Sequence, residues 1–539
     1  MLLTLLIYTD KITNFQVTYF QSKIANFQII SWGDFLGLSS EIYLCVSILV
    51  GFILIALANF KPIPSSLEQK KNITLLLCSF VEITFILSIL ILFVQLCILG
   101  IKSQILFNGY AIIDLYSLSV KICINLTIFF ILRLSKSYIK AHPRHLMEYS
   151  VLFLLLAFFL IVLVSAYNLL TAFLAIIGFS LTLYILLLYD SFNHSSREAG
   201  IKYFYLSTFS SGLLISGIFF SYFIFHNTNF LFITWQLHNW VWFNNFPAKI
   251  MLFQFMVYFI TFGFLFKLAA FPCHLWAPEI YDGSPHPITA LFVLPIKIAT
   301  LSFFLRLLNY TFADLYQSWS FIIWFSSLFS MIWGCIGALN ESRIKRFVAY
   351  SSINQMGFLF IGLVCGTFES LRATVIYLFI YVIMNLGFFI ILLTTKEQFT
   401  HRALTYLTDL NDYAQKNYFY TVTLVIILFS MAGIPPLGGF FGKYYLFLHS
   451  FEIGHFSLVV VGMVTSVIAT YYYLRIIKIM WFERPIINRF VFKTILTGDI
   501  FNLYVGVEFI LILFLIWSPW MFIWSNNIVS VGINPLTGI

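Results

Sequence analysis

The sequence predicts an all-α polytopic membrane protein of about 14 transmembrane helices, and three observations carry that prediction. First, 61% of the 539 residues are hydrophobic, only 9% are charged, and the mean hydropathy is +0.95. No ordinary soluble domain has that composition. Second, apolar runs of bilayer length, about 20 residues, recur along the chain. Third, basic residues fall almost entirely on alternate loops. The net charge of +9 does not point to nucleic acid, because no basic run lies outside the loops between spans.

Residues 1–37 are mixed, with Asp10, Lys11 and Lys23 interrupting short apolar runs, and read as an N-terminal extension. They lack the basic flank and small-residue cleavage site of a signal peptide. Spans 1–3 are predicted at 38–60, 73–99 and 109–132, within a segment 38–145. Spans 4–8 follow at 146–166, 168–190, 203–225, 251–281 and 286–308, and make up a segment 146–308. Only Ala166 to Asn168 separates spans 4 and 5, which demands a very tight turn. Spans 9–13 are predicted at 319–339, 347–366, 371–395, 418–449 and 453–480, in a segment 309–480. Span 14, at 500–526, and a tail complete residues 481–539.

Loops after odd-numbered spans carry about twenty basic residues, Arg133, Lys136, Arg343, Lys345 and Arg346 among them, against four (Lys102, Lys249, Arg306, Arg372) after even-numbered spans. The odd loops therefore lie on the positive, cytoplasm- or matrix-equivalent side. Inserting or deleting one span would scramble this alternation. Trp235, Trp240 and Trp242 read as an interfacial aromatic belt. The seven cysteines are scattered, mostly inside spans and without a Cys-x-x-Cys pair, as small buried hydrophobes are.

Four lysines, Lys121, Lys267, Lys297 and Lys443, remain inside spans. A charge at membrane depth is costly, and a lysine kept there is a candidate for proton or ion transfer. Lys297 falls near the bilayer midplane, about halfway along span 8. Lys267 precedes Pro272, which breaks span 7. In span 12, Pro435-Pro436 and Gly438-Gly439 unwind the helix shortly before Lys443. Interrupted helices at corresponding places in two halves point to inverted repeats with an ion path between them. His274 and His286 flank the span 7–8 connection; His274 is a possible relay, and His286 reads as a solvated loop residue. Glu279 and Asp282 read as braces of that loop, while Glu41 and Glu82 are carboxylates within spans 1 and 2.

The run FKLAAFPCHLWAPEIYDGSPHPITA…LPIKIA, Phe266 to Ala299, resembles the antiporter-like membrane subunit family of respiratory complex I, and its subunit 2 in particular. SSEIYL (Ser39 to Leu44), DLYSLSVK (Asp114 to Lys121), REAGIKYF (Arg197 to Phe204), ALNESRIKRFVAYSSINQMGF (Ala338 to Phe358), GIPPLGGFFGK (Gly433 to Lys443) and SVIATYYYLRIIK (Ser466 to Lys478) extend the resemblance across about residues 38–480. It implies inverted five-helix repeats at spans 4–8 and 9–13, with spans 7 and 12 broken. It implies proton translocation through Lys267, Lys297 and Lys443; of the accessory candidates, His274 matches a family position, while Glu41, Glu82 and Lys121, which either snorkels toward an interface or faces a neighbouring bundle, are candidates by their place in the spans. It implies no cofactor in this chain, with NADH, FMN, iron–sulfur clusters and ubiquinone held by partner subunits. The implied partners are other membrane-arm subunits and lipids, and not nucleic acid. The implied location is the mitochondrial inner membrane, with a bacterial plasma membrane or plastid thylakoid as alternatives; the 64 phenylalanines and abundant Ile, Tyr and Asn suggest an AT-rich coding sequence of the organellar kind.

The sequence departs from the family at one place. A glutamate expected in span 5 falls at Ile177, in the run Leu174 to Leu181, so the usual acidic partner of Lys267 is missing. If Lys267 keeps a carboxylate partner, Glu41 and Glu82 are the candidates. Two alternatives remain at this stage: a subunit of a multi-subunit sodium–proton exchanger, and a structural complex I subunit with a partly inactive path.

Overall fold

A computed structural model of the chain describes residues 32–60, 67–99, 103–141, 148–189, 193–243, 247–394, 404–411, 413–416, 418–435 and 437–483. Span 14, the C-terminal tail and most of the N-terminal extension lie outside the described residues.

Each predicted span from 1 to 13 is helical. Spans 1–6 are Ser39–Phe60, Leu67–Leu99, Leu115–Ala141, Tyr149–Ser165, Leu169–Leu188 and His194–Phe225. Spans 9, 10, 11 and 13 are Tyr316–Asn340, Ile344–Cys365, Phe368–Thr394 and Phe456–Phe482. Eleven described helices are long and apolar enough to cross a membrane. Burial ranks them by position. The most apolar window of span 8 is 100% buried and those of spans 10 and 11 are 94% buried, whereas those of spans 1 and 6 are 33% buried. Spans 8, 10 and 11 therefore form the centre. Span 1 turns Val46, Leu49, Ile53 and Leu57 outward, an apolar surface suited to lipid.

Span 7 breaks as expected, but earlier than Pro272 alone dictates. Its first half is Pro247–Leu268, Ala269 takes a left-handed conformation (φ 55°), and the second half is Trp276–Gly283. The Trp276 indole donates to the Phe266 carbonyl at 3.0 Å, which satisfies one group freed by the break. Span 12 divides into Tyr418–Ala432 and Gly438–Ile453. Gly433 adopts φ 88° at that break, which L side chains rarely tolerate.

Span 8 differs from the single helix expected. It consists of His286–Val293 and Pro295–Arg306, kinked at Leu294 (φ −102°, ψ −87°), and runs on into a π-turn at Leu307–Thr311. Pro295 is the cause, since it cannot donate to the turn before it. Span 3 also starts later than predicted. Residues Gln104–Leu106 and Ala111–Ile113 form a short hairpin instead, turning at Gly109 with φ 93°. Residues Phe230–Phe243, expected to be an aromatic belt, form a helix with Trp235 exposed on it; the Trp240 and Trp242 side chains lie outside the described ones.

The tight connection between spans 4 and 5 is built as anticipated. Ala166 bridges Ala111, Asn168 bridges Asn229, and the Asn168 side chain accepts from the Leu170 amide at 2.9 Å as an N-cap. In the span 12 break, a Cβ on Gly439 would stand 1.8 Å from the Ser430 carbonyl oxygen. Gly439→Ala is therefore expected to force the two half-helices apart, at a cost of roughly 1–3 kcal/mol or more. Thermal stability of the assembled variant measures it; an unchanged melting temperature would mean the close approach carries no weight.

Candidate functional site

The three lysines expected to carry protons are all buried: Lys267 is 7%, Lys297 1% and Lys443 4% exposed. None faces lipid, and each is held differently.

Lys443 stands in the second turn of the second half of span 12, directed back at the end of the first half. Its ammonium donates to the carbonyls of Met431 and Ala432, both at 3.0 Å, and lies 4.8 Å from the Phe358 ring centroid. These are the last carbonyls of a half-helix, so the negative end of the helix dipole holds the cation. Lys297 occupies the first turn after the span 8 kink and donates to the Ser352 hydroxyl at 2.9 Å. The Ser352 hydroxyl in turn donates to the Ala349 carbonyl at 2.7 Å.

Span 10 connects these two lysines. Ser352 and Gln355 are three residues apart and so share a helix face. The Gln355 amide donates to the Met431 carbonyl at 3.4 Å, the same oxygen that receives Lys443, and the Tyr377 hydroxyl donates to the Gln355 side-chain oxygen. Span 10 thus touches Lys297 through Ser352 and, one turn on, shares the Met431 carbonyl with Lys443 through Gln355. Sequence reasoning assigned no role to Ser352 or Gln355. The signal was present, because Ser351, Ser352, Asn354 and Gln355 crowd one segment of a membrane helix, where polar groups are expensive.

Lys267 is different. Its amine has no hydrogen-bond partner and forms no ion pair among the described residues. It sits 5.6 Å from the ring centroid of Phe179 on span 5, in a small cavity with Tyr203, Ser207, Ser210 and Trp276. Both serine hydroxyls there are spent on their own helix, on the carbonyls of Phe204 and Ser207. Ile177 does lie on span 5, half-buried, so no carboxylate stands in that register.

The carboxylates proposed as substitutes are engaged elsewhere. Glu41 accepts from Lys121 at 2.5 Å, and Glu82 from Lys136 at 2.7 Å. Lys121 is fully buried rather than reaching for an interface. His274 is buried against the rings of Phe271 and Trp333, with no hydrogen bond to its Nδ1. His286 is also buried, at 7% exposure, which corrects its reading as a solvated loop residue. As the first residue of span 8 it stands beside Lys345 at the start of span 10 and the backbone of Leu404, neighbours from distant parts of the chain. Arg306 needs the same correction. It is 2% exposed and binds Asp114 with one guanidinium nitrogen, at 2.6 and 2.9 Å.

Around the basic face, Asp282 takes Arg343 at 2.5 Å and Arg346 at 3.0 Å, while Lys202 bridges Glu198 and Glu279. Lys345 donates to the Ser284 carbonyl at 2.6 Å. Glu279 and Asp282 thereby brace the second half of span 7 against spans 6 and 10. An open, charged cleft lies between them.

Known proteins resemble this chain in sequence and fold. Residues 166–469 match the family model described as NADH:quinone oxidoreductase/Mrp antiporter, TM. The chain is 37% identical over 379 residues to NADH-quinone oxidoreductase subunit N of Pelagibacter ubique, covering 70% of this chain and 78% of that one. It is 38% identical over 353 residues to NADH-ubiquinone oxidoreductase chain 2 of Marchantia polymorpha, covering 65% and 70%. Its fold matches a chain of respiratory complex I from Thermus thermophilus with TM-score 0.68 at 22% identity, over 92% of this chain and 97% of that one. It also matches a chain of the Mrp complex of Dietzia with TM-score 0.74 at 15% identity, over 93% and 98%. Broken spans 7 and 12, buried lysines on spans 7, 8 and 12, and this degree of identity place the chain in the antiporter-like membrane subunit family of NADH:quinone oxidoreductase and the Mrp antiporters, on its complex I branch.

Proposed function

We propose that this chain is a proton-translocating subunit of respiratory complex I, moving protons through buried lysines while other subunits carry out the redox chemistry. The observation that supports the reading most is that span 10 places Ser352 on Lys297 and Gln355 on the Met431 carbonyl that also receives Lys443, so both buried lysines meet one polar helix face in the centre of the molecule. A lysine there exchanges one proton between ammonium and amine. The Ser352 hydroxyl can accept from the ammonium or turn to donate to the amine, so Lys297 keeps a partner in either state. Lys443 is steadied as a cation by half-helix carbonyls and can release its proton when those two half-helices move apart. Movement of the break is therefore the step that a neighbouring subunit would drive. In this reading the partners are other membrane-arm subunits, NADH, FMN, iron–sulfur clusters and ubiquinone reside in partner chains, and the membrane is the mitochondrial inner membrane.

The test is to isolate the chain from its native membrane. Co-migration with flavin- and iron–sulfur-containing subunits and NADH:ubiquinone activity is the expected result. Recovery free of them, with sodium–proton exchange in vesicles, would overturn the proposal.

Lys267 provides a finer test. Among the described residues its amine forms neither an ion pair nor a hydrogen bond, so Lys267→Met breaks no polar contact there and leaves no buried carboxylate behind. Pumping by the assembled variant should fall less than in Lys297→Ala, with thermal stability unchanged. A loss of pumping as severe as that of Lys297→Ala would make Lys267 an equal member of the path.

A further inference from the structure

We infer that spans 1–3 hold a second proton track, separate from the lysines of spans 7, 8 and 12. The inference rests on the proton-translocating reading above. Three polar stations join these spans at successive depths. Near the face opposite the basic loops, Glu41 in the first turn of span 1 accepts from Lys121 of span 3 at 2.5 Å. One turn deeper on span 3, Asn125 donates to Ser88 of span 2 at 3.2 Å. Towards the basic face, Glu82 of span 2 accepts from Lys136 of span 3 at 2.7 Å. Lys121 and Lys136 are fifteen residues apart, about 22 Å along a helix, which is most of the hydrocarbon thickness.

The two ends differ in exposure, as ports and interior should. The Lys136 and Glu82 side chains are 29% and 13% exposed, so that station meets the basic face. Lys121 is fully buried and Glu41 nearly so, at 0% and 6%. A cross-brace between helices would need none of this, since apolar residues hold membrane helices without the cost of desolvating two ions. Two buried acceptors along the track are also left open. Asn125 Oδ1 and Glu82 Oε1 have no hydrogen-bond partner among the described residues, although buried polar atoms are nearly always satisfied. Between the stations, Phe85, Ile128 and Ile131 are fully buried and apolar, and form the barrier that a controlled path needs.

The Glu41 station can hold either protonation state. Its carboxylate takes the Ser40 hydroxyl at 2.6 Å and the Ser165 hydroxyl at 3.4 Å besides Lys121, so it keeps partners once neutralised. Transfer proceeds by three balanced steps. The Lys121 ammonium gives its proton to the Glu41 carboxylate, leaving an amine beside an acid. Glu41 then releases that proton to the outer face. The amine next takes a proton arriving past Asn125, restoring the ion pair, so one proton leaves and one enters per cycle.

The experiment uses the assembled complex in vesicles, with protons pumped and NADH oxidised measured together. Glu41→Gln/Lys121→Met removes both charges of the buried station at once and leaves neither unpaired. If the two tracks share the load, this variant pumps about twofold fewer protons per NADH than the parent. A turnover-dependent infrared band of a protonated carboxyl should also vanish with it, which a static brace would not produce. Glu82→Gln, at the partly exposed station, is the second variant, expected to lose pumping to the same extent, and it decides the matter should the double variant fail to assemble. Parental pumping in whichever of these variants assembles, with the infrared band retained, overturns the second track. Lys443→Met is run in parallel: parental pumping there overturns the proposed function itself, independently of spans 1–3.

Discussion

Lys297→Ala should slow proton transfer along its own track by roughly tenfold or more, so that pumping falls to what spans 1–3 carry; tenfold is the low end of what a positioned proton-transfer group contributes. The buried network turns on this residue. It is the titratable group of span 8 nearest the centre, 1% exposed, and its amine donates to the Ser352 hydroxyl on the polar face of span 10. Assembly should survive. Ser352 keeps its bond to the Ala349 carbonyl, so no buried polar atom is orphaned, and the alanine replaces a costly amine with apolar surface. Lys297→Arg is the sharper companion. It keeps the charge but cannot give up its proton, because arginine does not deprotonate in proteins. If the charge alone mattered, the arginine variant would pump; if proton exchange matters, it should fail as the alanine does. Acidification of vesicles alongside NADH oxidation measures both, and normal pumping by the alanine variant would remove Lys297 from the path.

How much of this was legible in the sequence depends on which physical signal was being read. Spans announce themselves, because about 20 consecutive apolar residues have few other uses. The breaks were legible in kind, through Pro272 and the prolines and glycines of span 12, but less so in position. Helix 7 ends at Leu268, with Ala269 left-handed, and no residue-level rule foretells that. Pro295 gives no signal of a kink by composition, because apolar residues flank it on both sides within the span. The lysines were legible as anomalies, but their partners were not. Glu41 and Lys121 lie 80 residues apart, and only the packing of spans 1 and 3 brings them together. Ile177 shows the opposite case. The sequence already excluded a carboxylate in that register, and the fold adds that Phe179 covers Lys267 instead.

Arg306→Leu should cost more stability than any other single change considered, about 3–5 kcal/mol, enough to prevent assembly. Charge counting placed Arg306 in a loop, but it is buried at the end of span 8 and ties three spans together. One guanidinium nitrogen reaches both oxygens of Asp114 at the start of span 3, the other donates to the Val164 carbonyl at the end of span 4 at 3.0 Å, and the group lies 5.4 Å from the Tyr116 ring centroid. Asp114 also caps span 3, accepting from the Ser117 amide at 2.7 Å. Removing the arginine leaves that carboxylate at 1% exposure with its cap and no counter-ion, and exposes the Val164 carbonyl to the interior without its donor. Asp114→Asn combined with Arg306→Leu should recover much of the loss, because the asparagine keeps a capping oxygen and carries no charge. The measurement is the yield of intact complex and its melting temperature for both variants. Should Arg306→Leu assemble and melt like the parent, the ion pair would be incidental to the joining of spans 3, 4 and 8. A double variant no better than the single would place the stabilisation in the arginine's contacts with Val164 and Tyr116 rather than in the pairing of charges.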